Sequence, residues 1–150
     1  MTPPAFTHTF PVRLHDIDAA GILFYGHLFR HAHDAYEAFM ATIGFPLHRL
    51  IQDGDCLLPL VHAEADYRHP LRHGEVIQVE LSVREIGGSA FTLDYRFTDE
   101  TGREKARAST VHVHLGPAGA SGASAPLPEV LVQALRPWMP PTAPAGRLGA

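Results

Sequence analysis

Gly26-His27-Leu28-Phe29-Arg30-His31-Ala32-His33-Asp34-Ala35-Tyr36-Glu37-Ala38-Phe39-Met40-Ala41-Thr42-Ile43 is the stretch on which the fold turns. Leu28, Ala32, Ala35, Tyr36, Phe39, Met40 and Ile43 recur at spacings of three and four. That period predicts a helix over 26–43 with one wide apolar stripe. Gly44 follows as the residue best able to take a left-handed conformation at the helix end, and Pro46 prevents continuation. A stripe this long needs a broad surface to cover it.

That surface is readable on both sides of the helix. Before it, residues 9–14 alternate Phe10, Val12 and Leu14 against Thr9 and Arg13, which is a strand period. Pro11 marks an edge position or a strand start. After the helix come four alternating segments, at 61–68, 76–86, 91–98 and 105–115. In the last, the small residues Ala106, Ala108 and Thr110 share a face. The turns at 70–74, 87–88 and 99–102 are short and rich in Gly or Pro, so consecutive strands are expected to form antiparallel hairpins. Strand, long helix and four antiparallel strands predict an α+β fold in which a five-stranded sheet wraps one helix. Such a sheet leaves two edges open, and exposed edges are normally paired or covered. A homodimer or homotetramer is therefore expected.

Composition narrows the function. The chain has 150 residues and a mass of 16.4 kDa, with 45% hydrophobic and 19% charged residues, which suits one globular domain. The net charge of −4 provides no basic field, so nucleic acid is not an expected partner. The single cysteine, Cys56, excludes an intramolecular disulfide and any multi-cysteine zinc site, and suits the cytoplasm. No apolar run reaches the ~18 residues a membrane span needs. Met1-Thr2-Pro3-Pro4-Ala5 lacks the basic and apolar regions of a signal peptide. Residues 116–128 read GPAGASGASAPLP, without periodicity; 129–138 could form one short helix, and Pro137, Pro140, Pro141 and Pro144 limit regular structure. The expected division is a folded domain over 1–115 and a Gly/Ala/Pro-rich tail over 116–150.

The densest chemistry lies in Leu14-His15-Asp16-Ile17-Asp18-Ala19-Ala20-Gly21-Ile22-Leu23-Phe24-Tyr25-Gly26, just before the helix. By residue type alone, two carboxylates here can solvate a turn or cap the helix. An exposed turn has no need of Ile22-Leu23-Phe24, however. A carboxylate beside apolar walls and a helix N-terminus suits nucleophilic or general-base attack on an acyl group, with free N–H groups to hold the oxyanion. Elsewhere, His27 and His31 have metal-ligand spacing but no evident third ligand, so no metal site is expected. His33 joins them as a polar residue of the helix face or pocket rim, and His112 and His114 are expected to be solvated or at an interface. His62 and Glu64 share a strand face and could line an interface or a site. No serine nucleophile elbow, G-x-G-x-x-G or P-loop occurs, and Cys56 has no local signature.

The run His15-Asp16-Ile17-Asp18-Ala19-Ala20-Gly21-Ile22, followed by Ala35-Tyr36-Glu37-Ala38, resembles hot-dog-fold acyl-CoA thioesterases of the 4-hydroxybenzoyl-CoA thioesterase type. Within them it is most similar to the 1,4-dihydroxy-2-naphthoyl-CoA hydrolases, which share His-Asp-x-Asp-Ala-Ala-Gly. The likeness extends through Leu60-Val61-His62-Ala63 and Asp66-Tyr67-Arg68-His69-Pro70-Leu71-Arg72-His73-Gly74-Glu75. It implies the hot-dog fold and hydrolysis of an aryl-CoA such as 1,4-dihydroxy-2-naphthoyl-CoA or 4-hydroxybenzoyl-CoA, with no cofactor beyond the coenzyme A of the substrate. It also implies that Asp18 is the catalytic carboxylate, that Tyr25 gives its backbone N–H to the thioester carbonyl, and that Asp16 and Gly21 support them. His27 stands where many relatives carry Asn or Ser, which bears on the acyl pocket. A second branch of these enzymes uses a helix carboxylate, which makes Glu37 and Asp34 the alternative catalysts. CoA phosphates call for Arg or Lys at the pocket mouth, and Arg68, Arg72 and Arg84 are the candidates. The alternatives are a short-chain aliphatic acyl-CoA thioesterase and a non-catalytic acyl-CoA-binding domain.

Overall fold

The computed structural model describes residues 5–117 and 122–141. In chain order it contains β1 (Phe6–Pro11), α1 (His27–Thr42), α2 (Leu47–Asp53), β2 (Leu60–Tyr67), β3 (Val76–Ile86), β4 (Ala90–Thr98), β5 (Glu104–Val113) and α3 (Glu129–Leu135). The expected helix is present with Gly26 at its N-cap. β1 starts and ends three residues earlier than its alternation suggested, and Leu14 instead opens a 3-10 turn, Leu14–Asp16. α2 went unpredicted, although Pro46 and the left-handed Gly54 bound it.

One antiparallel sheet has the strand order β1-β3-β4-β5-β2. This is the predicted five-stranded sheet around a helix. β3, β4 and β5 form consecutive hairpins. The expected hairpin between β2 and β3 is absent: β2 pairs with β5, and β3 pairs with β1 and β4. The 68–75 segment is therefore a crossover spanning the end of the sheet. Arg68 and His69 donate to Lys105 O at its β5 end, and Gly74 N donates to Val12 O at its β1 end. Buried Lys105 anchors its middle, donating to Pro70 O at 2.9 Å and pairing with Glu75 at 3.1 Å. Lys105→Met should cost about 2 kcal/mol, because partly buried Glu75 loses its cation. Urea unfolding measures it.

The core follows from the two periods. Leu28, Ala32, Ala35, Tyr36, Phe39 and Met40 of α1 are buried against the sheet. Ile77, Val79, Leu81 and Val83 of β3, and Phe91, Leu93, Tyr95 and Phe97 of β4, supply the sheet's inner face.

The core also extends past the boundary expected near residue 115. Leu127, Leu131 and Leu135 are buried in it, and Trp138 packs edge-on against Phe39 at 5.5 Å and Phe6 at 6.3 Å. Residues 127–138 are therefore docked rather than a free tail, and the short helix expected within 129–138 is present as α3. Its linker is uninformative, but the leucines of α3 fall four apart and share one face. His114 corrects a second expectation. It is buried rather than solvated, and its Nδ1–H donates to Pro126 O at 2.8 Å, tying the returning segment to the sheet. No helix among the described residues is long and apolar enough to cross a membrane.

Candidate active site

Residues 16–24 fold back on themselves between β1 and α1. Phe24 N donates to Asp16 O, Asp18 N to Ile22 O, and Gly21 N to Asp18 O. The Asp18 side chain accepts from Ala20 N at 2.8 Å, which fixes the turn. Gly21 has φ of 77°, a conformation that favours glycine at this tight point. Leu23 is buried and its N–H reaches Leu71 O, so the apolar run anchors the loop to the crossover. Asp18 itself is exposed in the single chain, and the apolar walls expected around it are not closed.

Asp16 has a different setting. It is fully buried, its Oδ2 accepts from Arg13 N at 2.8 Å, and its Oδ1 accepts from His31 Nε2 at 2.9 Å and from Arg30. Burial alone would raise its carboxyl, but the Arg13 N–H, His31 and Arg30 outweigh that and hold it below the usual carboxylate range. His31 is buried and takes the carboxylate, so it is neither a rim residue nor a free ligand beside His27. Among the described residues no cluster of three His, Cys, Asp or Glu is placed to hold a metal.

The helix start lies at the other arm of the loop. Neither Tyr25 N–H nor Gly26 N–H has an acceptor among the described residues. These are the unsatisfied donors a helix N-terminus offers to a developing oxyanion. Tyr67 of β2 donates its hydroxyl to Tyr25 O at 2.5 Å and so holds this turn against the sheet edge. The Tyr25 ring is exposed, and half-buried His27 packs edge-on against Phe24 at 5.4 Å.

A pocket of about 520 Å³ opens between α1, α2 and the Leu60 end of β2. Phe29, His33, Tyr36, Leu57, Leu58 and His112 are among its walls. His112 was expected to be solvated or at an interface. It is buried instead, with its ring stacked on Tyr36 at 4.3 Å and on Phe91 at 5.3 Å. Its Nδ1 faces Leu58 O at 3.4 Å and its Nε2 lies 3.0 Å from Thr110 Oγ1, which lies 2.8 Å from the Tyr95 hydroxyl. The carbonyl can only accept, so Nδ1 carries the proton and Nε2 accepts from Thr110. Burial favours this neutral ring and pushes its pKa down to about 4. The unfolded chain then binds the extra proton first, so stability falls as pH drops from 6.5 towards 4. The expected cost is about 2.5 kcal/mol at pH 4.5 relative to pH 7.5. Urea unfolding at both pH values should show that gap shrink in His112→Gln.

The remaining candidates separate clearly. Arg68 pairs with Glu104 at 3.3 Å and Arg84 with Asp94 at 2.6 Å, so both cations are already engaged. Arg72 bridges Ile22 of the acidic loop through its backbone, and its exposed guanidinium has no carboxylate partner among the described residues. Arg72→Ala should therefore raise the KM for a CoA thioester about tenfold with kcat little changed, as expected when one charge-assisted phosphate contact is lost. Initial rates against substrate concentration test it. Exposed Glu37 and half-buried Asp34 line a shallow groove against the start of α2. His62 and Glu64 lie 3.6 Å apart on the exposed β2 edge.

Comparison with known proteins places this arrangement. The chain matches the thioesterase-like superfamily over residues 12–135, a span that includes α3. It is 35% identical over 133 residues to a 1,4-dihydroxy-2-naphthoyl-CoA hydrolase of Synechococcus elongatus, covering 88% of this chain and 93% of that protein. A solved 1,4-dihydroxy-2-naphthoyl-CoA thioesterase from Synechocystis superposes with a TM-score of 0.82 at 31% identity, covering 89% of this chain and 96% of that one. A gentisyl-coenzyme A thioesterase superposes with a TM-score of 0.76 at 27% identity, covering 87% of this chain and 98% of that one. The sheet and helix have hot-dog architecture, and the match to the family and its relatives makes the chain a thioester hydrolase. The chain belongs to the thioesterase-like superfamily.

Proposed function

We propose that the protein hydrolyses an aryl-CoA thioester to the free acid and CoA, at a site completed by a second copy of the chain. Asp18 attacks the thioester carbonyl or activates water for that attack, and Tyr25 N–H binds the oxyanion. The reaction calls on no metal or redox cofactor, and the lone cysteine fits a cytoplasmic setting.

The observation that carries this reading is the layout along β2. Ala63, Ala65 and Tyr67 pair with Thr110, Ala108 and Ala106, so they share the sheet's inner face. At the Tyr67 end lie the acidic loop and the free helix N–H groups; at the Leu60 end lies the ring-walled pocket. These ends are about 23 Å apart in one chain at the usual strand rise. β2 is an edge strand, with exposed Leu60, Val61 and Tyr67. Two-fold pairing of β2 with its copy runs the strands antiparallel. It brings the acidic loop of one protomer to the pocket of the other and turns two sheets into one. The apolar, ring-lined pocket suits a planar aromatic acyl group. Relatives named for dihydroxynaphthoyl-CoA and gentisyl-CoA support that choice.

A panel of CoA thioesters assayed for thiol release tests the activity. Aryl thioesters should turn over fastest. A preference for short aliphatic chains would reassign the acyl group, and binding without turnover would make the protein a binding module. Light scattering at micromolar protein should give at least twice the chain mass of 16.4 kDa, with a tetramer if a second face joins dimers. An active monomer would sink the shared site.

A further inference from the structure

We propose that His31 is a positioning residue for hydrolysis, holding the Asp18 loop in its working geometry by donating its Nε2–H to buried Asp16. The inference rests on the reading of Asp18 as the reacting carboxylate. It concerns a group that touches neither substrate nor the reacting atoms.

The geometry assigns the role. Asp16 lies two residues before Asp18, and its backbone and side chain each hold one part of the loop. Its carbonyl accepts from Phe24 N at 2.9 Å, closing the two arms on each other. Its carboxylate accepts from Arg13 N at 2.8 Å, fixing the approach from β1. The remaining oxygen, Oδ1, joins the loop to α1 through His31 and Arg30. Those two partners differ in rigidity. The Arg30 side chain is 43% exposed, whereas that of His31 is 6% exposed. The His31 ring also stacks on Phe10 of β1 at 3.7 Å and 7°. One imidazole thus locks β1, the loop and α1 to each other.

The proton position follows from the partners. Nε2 lies 2.9 Å from Asp16 Oδ1 and 3.3 Å from the Arg30 guanidinium, which only donates; the shorter contact is to a carboxylate that only accepts, so Nε2 carries hydrogen. His31 Nδ1 is buried with no hydrogen-bond partner among the described residues. A core chosen for stability alone would not keep an orphaned ring nitrogen beside a buried carboxylate, since apolar side chains fill such a space without that cost. Flipping the ring would move Nδ1 but break the bond from Nε2 to Asp16, so that bond holds the ring in this orientation. What the arrangement retains is a fixed direction from α1 to Asp16. Misplacement of a reacting group by about 1 Å can cost on the order of a hundredfold in rate.

The test combines His31→Phe, which keeps a flat ring on Phe10 and removes the donor, with the Asp18→Asn background. His31→Phe should lower kcat ten- to a hundredfold while KM stays within about threefold. In Asp18→Asn the same substitution should change the residual rate less than about threefold, because the group being positioned is already lost. Should the Phe variant fail to fold, His31→Gln and His31→Asn decide. The Gln amide reaches the Nε2 position and should keep kcat within about fivefold of wild type, whereas the Asn amide falls short of Asp16 and should lose at least tenfold. A folded His31→Phe with wild-type kcat overturns the inference, as do equal losses in both Asp18 backgrounds or in the Gln and Asn variants. Wild-type protein that releases no thiol from any CoA thioester, or whose turnover survives Asp18→Asn, overturns the underlying reading instead, and the inference with it.

Discussion

Asp18→Asn is expected to lower kcat at least a hundredfold, with KM for an aryl-CoA changed only a few-fold. The amide keeps the shape of the carboxylate and can still accept from Ala20 N, so the turn that presents residue 18 survives. What it loses is basicity and nucleophilicity, and general-base action alone is worth about 10²–10⁴ in rate. A fall in kcat with KM preserved marks a group that acts mainly in the transition state. Glu37→Gln is the control. Its side chain is exposed on α1 beside the start of α2, away from the free N–H groups at the helix start, and it should turn over normally. The reverse pattern, with Asp18→Asn active and Glu37→Gln dead, would move the chemistry to the helix carboxylate.

Deleting residues 117–150 is expected to cost most of the stability of the fold. Leu131 and Leu135 are fully buried, and Leu127 and Val132 nearly so. A fully buried aliphatic side chain contributes about 1.5–3 kcal/mol, so these four are worth roughly 6 kcal/mol or more. Domains of this kind are stable by only about 5–15 kcal/mol. The deletion also exposes Phe6 and Phe39, which Trp138 now covers. The shortened chain should therefore be insoluble or melt at least about 15 °C lower. Melting within a few degrees of the full chain would show that α3 adds little to the core.

The elements legible in sequence are those whose burial pattern is local. The α1 stripe and the alternation in β3 and β4 each report one buried face, and the structure keeps those residues at or near zero exposure, apart from partly buried Ile43 at the helix end. The acidic loop was legible as chemistry because two carboxylates beside Ile22-Leu23-Phe24 made little sense as a plain turn. What stayed hidden depends on contacts distant in sequence. The short 70–74 turn reads as a hairpin, but β2 finds β5 and the chain crosses the sheet end on Lys105. The short helix within 129–138 was legible, but the aperiodic Gly/Ala/Ser-rich sequence before it hid its docking on the core, although the spacing of Leu131 and Leu135 carried that signal. His31 and His112 looked polar because histidine usually is. Their burial depends on Asp16, fifteen residues away, and on rings from α1 and β4.

The central claim is an Asp18-dependent site shared between protomers, and subunit complementation tests it most directly. One variant is Asp18→Asn, with its pocket intact. The other is Leu57→Trp, which fills the half-buried pocket wall and leaves the acidic loop alone. Each homodimer should be nearly inactive. A heterodimer isolated with two different tags has one intact loop facing one intact pocket, and it should recover about half of the wild-type rate of aryl-CoA hydrolysis. A heterodimer as inactive as its parents would contradict the shared site and place loop and pocket within a single chain.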